Sequence, residues 1–582
     1  MRRPPETRPP DAVHRWGRFE AAVEAPVYDA LDPLRDVALT AELTAPSGTR
    51  HRRRGFWDGE YTWRLRCAPD ELGTWTYTLT AAVRRGVAVM GGETLTTVAG
   101  SFECLPYEGE NPLYRHGPPR LGPDQRRFVH ADGTPWLYLA DTVWNGPIHS
   151  TPEEWATYVA TRVAQGFTAA QFVATQWHAA PQGGPDGPAW TGGDRVEALN
   201  PSFFRRLDAR LDALVDAGLA GVPVLLWAIG GPPVTAVNPG NVLSEADCAL
   251  LAGYQVARWQ AHPVLFILNG DGRYGGERAA RWRNIGRAVF GGGEPQRRPL
   301  VALHPGGRQW VGAEFEAEPW LDVLGYQSGH GGDAESWAWL VDGPPARDWP
   351  AVPRQAVVNL EPAYEHHNRM AARRGVAGAP GGRFTPRDVR RALYWSLLVS
   401  PTAGVTYGGH GVWGWDDGTA PPLAHDATGV PLHRLEALQM PGARQVRHLA
   451  DAFGALPWWT LFPDRDLVLE QSGFENALPR GYDGDGAADA ALAGVLARVV
   501  AGRSADGRLA VLYLPAGGWV VVDGGRLAPG LAATWIDPRE GQRRDGPPLP
   551  APAAADGAVR LEAPDGRDWL LVLRAAAGGD GA

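Results

Sequence analysis

The sequence predicts an α/β protein: a (β/α)8 TIM barrel flanked by an N-terminal and a C-terminal β-sandwich. Three observations predict it. Short strands separated by Gly, Pro and Asp fill both ends of the chain. Between residues 126 and 460, eight buried-looking strands alternate with helical stretches. The 582 residues are 44% hydrophobic and 21% charged, which supplies apolar material for more than one core.

Residues 1–12 are Pro/Arg-rich and read as a disordered tail. Residues 13–106 read as the first sandwich, from RWGRFEAAVEA, DVALTAELTAP, YTWRLRCAP, GTWTYTLTAAV and GSFECLPY. Apolar–polar alternation is plain in YTWRLRC and TWTYTLT, as in strands with one face buried. Residues 107–125 read as a linker.

The barrel strands are WLYLAD (136–141), TAAQFVAT (168–175), GVPVLLWAI (221–229), VLFILNGD (264–271), RPLVALHP (298–305), LDVLGYQSG (321–329), RQAVVNLE (354–361) and GVTYGGHGVW (404–413). Helices lie between most of them. One opens with Thr151 as N-cap, Pro152 at the first helical position and Glu154 three residues after the cap. Another opens with Ser244, and a third repeats the Thr-Pro start at Thr385 and Pro386. A doubly wound sheet would want a Gly-rich phosphate turn after its first strand, and WLYLADTVW has none. Residues 461–576 read as the second sandwich, and 577–582 as a tail.

Composition removes several function classes. Net charge is −9, with no basic excess to neutralise a phosphate backbone, so no nucleic-acid partner is expected. All 56 cationic residues are arginine, which excludes chemistry that needs a lysine amine. Cys67, Cys104 and Cys248 lack metal-site spacing and read as free buried thiols. No apolar run approaches the ~20 residues of a membrane span. MRRPPETRPP has charge but no apolar segment after it, which predicts a cytoplasmic protein.

In such a barrel the chemistry sits at the C-terminal strand ends. Strand 1 ends with Asp141 and Trp144, strand 2 with Gln176, Trp177 and His178, strand 3 with Trp227. Strand 4 gives Asn269 and Asp271, strand 5 His304, strand 6 Tyr326, Gln327 and His330. Strand 7 gives Asn359 and Glu361, followed by Tyr364; strand 8 gives His410, Trp413 and Trp415. Alternation puts Leu265, Ile267, Asn269 and Asp271 on one face, and Val357, Asn359 and Glu361 on one face. Strands 4 and 7 are three places apart around the ring, so Asp271 and Glu361 can oppose each other across the mouth. Two opposed carboxylates are what glycosidic cleavage requires. Asn269 and Asn359 would hold them or bond sugar hydroxyls. Asp271 has a competing reading as a turn cap, since NGDG is turn-like. Glu365, the rival to Glu361, reads as a solvent-exposed residue past the rim, and His366–His367 as surface sequence. The 25 Trp suit sugar stacking, with Trp144, Trp177, Trp413 and Trp415 at strand ends.

These segments resemble the apiosidase-like glycoside hydrolases: WLYLADTVWN, the R-x3-GF run from Arg162 to Phe167, FILNGD, LGYQSGH, NLEPAYE and TAGVTYGGHGVWGW. The first sandwich is similar to the one often found ahead of such barrels. The last is similar to a C-terminal sandwich labelled collagen-binding. The resemblance implies a retaining glycosidase with acid/base on strand 4, matched by Asp271, and nucleophile on strand 7, matched by Glu361. It implies a plant-type carbohydrate substrate, apiose in pectin side chains for the family's known member. NGDG departs from the commoner GGD of that motif. No metal and no cofactor are expected. Two other readings stay open: a non-catalytic carbohydrate-binding protein, and a barrel metallohydrolase using His304, His330 and His410.

Overall fold

The structure is a computed structural model. It describes residues 9–25, 31–84, 94–230, 237–292, 298–352, 354–370, 382–478, 487–547, 549 and 557–575. Most of the expected N-terminal tail, residues 1–8, and the whole C-terminal tail lie outside the described residues.

Eight parallel strands close into a barrel: β1 Tyr138–Thr142, β2 Ala169–Val173, β3 Ala220–Trp227, β4 Leu265–Gly270, β5 Leu300–Leu303, β6 Val323–Tyr326, β7 Ala356–Asn359 and β8 Gly404–Gly408. Six fall inside the expected runs, and β1 and β3 each extend one residue beyond theirs, at Thr142 and Ala220. The ring closes through five Cα pairs between β1 and β8, from Tyr138↔Gly404 to Thr142↔Gly408. All eight strands are buried along their length, one face to the barrel interior and one to the helices. Gln171 of β2 points inward, where its Oε1 accepts from Tyr138 (2.8 Å) and its Nε2 donates to the Leu360 carbonyl (2.9 Å).

The outer ring includes α1 Pro152–Ala164, α2 Pro201–Asp216, α3 Glu245–Trp259, α4 Glu277–Phe290, α5 Ala334–Val341 and α6 Pro386–Leu398. The Thr-Pro starts act as read. Thr151 and Glu154 form a reciprocal capping box at α1, and Thr385 and Asp388 form one at α6. Ser244 accepts from the Asp247 N–H at α3.

The first sandwich stacks a five-stranded sheet (strands from Ala12, Thr94, Gly73, Val37 and Arg50) on a three-stranded one (from Phe19, Thr62 and Phe56). In Gly73–Val83 the side chains of Trp75, Tyr77, Leu79, Ala81 and Val83 are buried, so alternation sets that core. Its three-stranded sheet leans on the barrel through buried ion pairs, Arg66–Asp208 at 2.8 Å and Arg258–Asp58 at 2.9 Å. The C-terminal sandwich pairs a six-stranded with a three-stranded sheet. It is keyed to α6 by a bidentate Arg390–Asp568 pair (2.7 and 2.8 Å) and by Tyr394 stacked on Tyr513 at 4.7 Å. The three cysteines are free and buried. Among the described residues no helix is long and apolar enough to cross a membrane.

Candidate active site

Register fixes which side chains face inward. Ile267 pairs with Val224, and Asn269 with Leu226, so Asn269 points into the barrel as alternation predicts. β4 stops at Gly270, and Asp271 takes a left-handed backbone (φ 51°), uncommon for a residue with a Cβ. This turn depends on its glycines. A Cβ on Gly270 would run into the Trp227 ring, and one on Gly272 would run into Asn269 Nδ2. Tyr274 donates its hydroxyl to Asn269 Oδ1, while Asn269 Nδ2 is buried without a partner.

β7 reaches the mouth differently. Its ladder ends at Asn359, which pairs with Tyr326 and faces out of the barrel. Asn359 Nδ2 donates to Ser328 (2.9 Å) and to Ser396 of α6 (3.0 Å). The expectation that Asn359 and Glu361 share a face therefore fails, because alternation holds only while the strand continues. Past the strand end the chain turns toward Pro362 and carries Glu361 into the mouth.

There Glu361 meets two imidazoles. His330 Nε2 donates to Oε1 at 2.9 Å. His304 Nε2 lies 3.2 Å from Oε2, in ion-pair range but off the line of a hydrogen bond. The Asp271 N–H approaches His304 Nδ1 at 3.5 Å, which assigns the ring proton to Nε2. One ligand atom from each of Asp271, His304 and Glu361 lies within 4.8 Å of the other two. These three are also the described residues placed to hold a metal ion.

The two carboxyls are pushed apart in proton affinity. Burial, and then the charge of Glu361, raise Asp271 to about 7, against an opposing pull from His304. Burial also disfavours ionised Glu361, but His304 and His330 outweigh it and hold this carboxylate well below the usual range. For His304, burial works against the charged ring, and Glu361 reverses that, so its pKa is raised.

The walls are aromatic. Trp144 packs edge-on to Trp227 (5.3 Å) and His304 (5.6 Å). Tyr364 lies 4.5 Å from His330, and a Cβ on Gly408 would strike its ring. His410 stacks on Trp413, and Gln327 presents a buried, unpartnered Oε1. Trp177 and His178 form an outer layer: Trp177 packs on Trp227 at 4.5 Å and donates to Asn145 (2.6 Å), and His178 bonds Asn238.

Several expected site residues lie elsewhere. Asp141 faces outward from β1 and is fully buried against α1, bonded to Arg162 (2.8 Å) and Tyr158 (2.9 Å). Gln176 clips the Ala189–Trp190 loop through both ends of its amide (2.9 Å each). Tyr326 points outward between Trp310 and Trp339. Trp415 packs on Trp155 and donates to Glu154 at 3.2 Å. Glu365 is buried rather than exposed, tied to Tyr407 (2.7 Å) and to the Gly442 N–H (3.0 Å). Two histidines that sequence reasoning missed belong to the mouth. His367 stacks on His330 at 4.4 Å, and His425 lies 4.9 Å from both Trp413 and His178. Nothing local distinguishes them, since one sits in a His-His pair and the other in a loop.

Comparison with known proteins agrees with this architecture. Residues 123–460 match the model described as "Apiosidase-like, catalytic domain", and residues 12–82 match a domain of unknown function, DUF5060. No curated protein matches. A solved structure named "Glycoside hydrolase" is 20% identical, covers 81% of this chain and 99% of its own, and superposes with a TM-score of 0.64. A glycoside hydrolase family 5 structure from Bacteroides vulgatus is 18% identical, covers 82% and 97%, and also gives 0.64. At these identities the likeness establishes the fold alone. The family model spans more than half of the chain, the whole barrel with both carboxylates, and on that ground the protein belongs to the apiosidase-like catalytic-domain family.

Proposed function

We propose that the protein is a retaining glycoside hydrolase acting on a small plant-type oligosaccharide or glycoside. The observation that carries the reading is the Asp271–Glu361 pair: oxygens within 4.8 Å, with the Asp271 carboxyl raised to about 7 and the Glu361 carboxyl held well below the usual range. Retaining glycosidases place their carboxyls about 5–5.5 Å apart, and inverting enzymes roughly 6.5–9.5 Å.

In this reading Glu361 is the nucleophile. Its Oε1 is occupied by His330, so Oε2 attacks the anomeric carbon. Asp271 gives its proton to the departing glycosidic oxygen. Formation of the glycosyl ester removes the Glu361 charge, one of the two causes raising Asp271, so Asp271 becomes a stronger acid. It then ionises and takes a proton from the water that cleaves the ester. Asn269 Nδ2 and Gln327 Oε1, buried and unpartnered, are available to sugar hydroxyls. Trp144 and Trp413 contribute buried indoles to the wall around the carboxylates, the residue type that suits the apolar side of a sugar ring.

The Asp271–His304–Glu361 cluster also suits a divalent metal, which favours the metallohydrolase as a second reading. One experiment separates them. Purified protein is screened on nitrophenyl glycosides, pentofuranosides included, with and without EDTA, and the first-formed anomer is read by NMR. The proposal expects turnover that chelation leaves unchanged, with retained configuration. Loss of activity in EDTA supports the metal reading, and an inverted product contradicts the double displacement.

A further inference from the structure

At the opposite end of the barrel, the residues just ahead of β4 and β5 meet the first sandwich around a cavity of about 310 Å³. Pro263 and Pro299 close it from the barrel side. It shares no residue with the catalytic mouth. Its walls carry Arg15, Arg53, Arg66 and Arg120 against a single carboxylate, Asp70.

The arginines are not equally committed. Arg66 is saturated, with Nε on Glu20 (2.6 Å) and its terminal nitrogens on Asp208 (2.8 Å) and the Arg258 carbonyl (3.1 Å). Arg15 donates from Nε to the Asp70 carbonyl at 2.8 Å, and its guanidinium lies 4.1 Å over the Trp16 ring. Arg120 differs. Among the described residues it forms no ion pair, and its one side-chain hydrogen bond goes to the carbonyl of Pro119, next to it in the chain (3.0 Å). Asp322, one of the acids that acts on it, is already bidentate with Arg298 (2.5 and 3.1 Å). Burial lowers Arg120 to about 10, with Asp70 and Asp322 opposing too weakly to restore it. A guanidinium enclosed without a contacting carboxylate lacks the bidentate partner its geometry suits.

The remaining walls suit a ring-shaped ligand. Trp16 holds a left-handed backbone (φ 60°), fixed by its N–H on the Pro69 carbonyl (2.8 Å). Gly117 leaves room for it, since a Cβ there would sit 2.7 Å from the indole. Trp75 supplies a second aromatic surface. The volume falls at the low end of small-molecule sites, which begin near ~300 Å³.

We propose that this cavity is an oxyanion-binding site, separate from the catalytic mouth, that takes a sugar-sized molecule bearing a carboxylate or phosphate through Arg120 and Arg15. Isothermal titration of the full chain with galacturonate, inorganic phosphate and galactose tests it, on the unmodified protein and on Arg120→Gln and Arg15→Gln. At least one anion should bind while galactose gives no heat, and Arg120→Gln should weaken that binding about tenfold or more, the worth of one charge-assisted hydrogen bond. Galacturonate alone identifies a sugar acid; phosphate binding identifies a phosphate group. If Arg120→Gln fails to fold, Arg15→Gln carries the same expectation. No heat from either anion, or folded variants that bind as the unmodified protein does, would overturn the proposal.

Discussion

His330 Nε2 stands 2.9 Å from Glu361 Oε1, while Oε2 lies 3.2 Å from His304 Nε2 and accepts no hydrogen bond from the described residues. In the proposed double displacement, that hydrogen bond on Oε1 makes Oε2 the attacking atom. It also helps to lower the proton affinity of that carboxylate beside a second acid whose proton affinity is raised.

On the proposed mechanism, replacing Asp271 by Asn removes the proton donor but keeps the side-chain volume. Activity on natural linkages should fall by ~10²–10⁴-fold. Dinitrophenyl glycosides, whose leaving groups need little protonation, should lose much less. Steady-state kinetics on both substrate types checks this, and equal losses would remove Asp271 from the acid role.

The pH profile of kcat/KM should be a bell. Its basic limb reports Asp271 losing its proton near pH 7, and its acid limb reports Glu361 gaining one well below the usual carboxylate range. In His304→Ala both limbs should move to higher pH. The imidazole stabilises the charged form of each carboxylate, so its removal raises both pKa values. An unshifted acid limb would show that His304 does not hold Glu361.

Asp141, although at a strand end, should behave as a structural residue. Asp141→Asn leaves the fully buried Arg162 guanidinium without its counter-charge. Breaking such a pair costs about 3–5 kcal/mol. The variant should melt at a clearly lower temperature while KM and pH profile in the folded enzyme stay unchanged. An altered KM with unchanged melting would return Asp141 to the substrate site.

The barrel was legible because each strand is a short, predominantly apolar run buried on both faces, and because Thr151 and Thr385 announce their helices chemically. The positions of the acids were legible for a less secure reason. Projecting alternation past Asn359 puts Glu361 in the mouth, yet Asn359 itself faces α6, and only the turn beyond the strand end brings Glu361 inside. The same outward facing explains Asp141 and Tyr326. Alternation gives two faces but does not say which is the inner one, and that depends on register with neighbouring strands. His367 and Glu365 were read as surface because a run such as YEHH looks polar. Their burial is set by Gly442, Tyr407 and His330, residues far away in the sequence.

The whole mechanism turns on Glu361 supplying the attacking oxygen. Turnover by Glu361→Gln, on whichever glycoside the unmodified enzyme cleaves, tests that role without intermediaries. We expect kcat to fall by more than about 10⁴-fold, with melting temperature and sugar binding retained. Turnover by the Glu361→Gln variant at the unmodified rate would show that another group attacks the sugar.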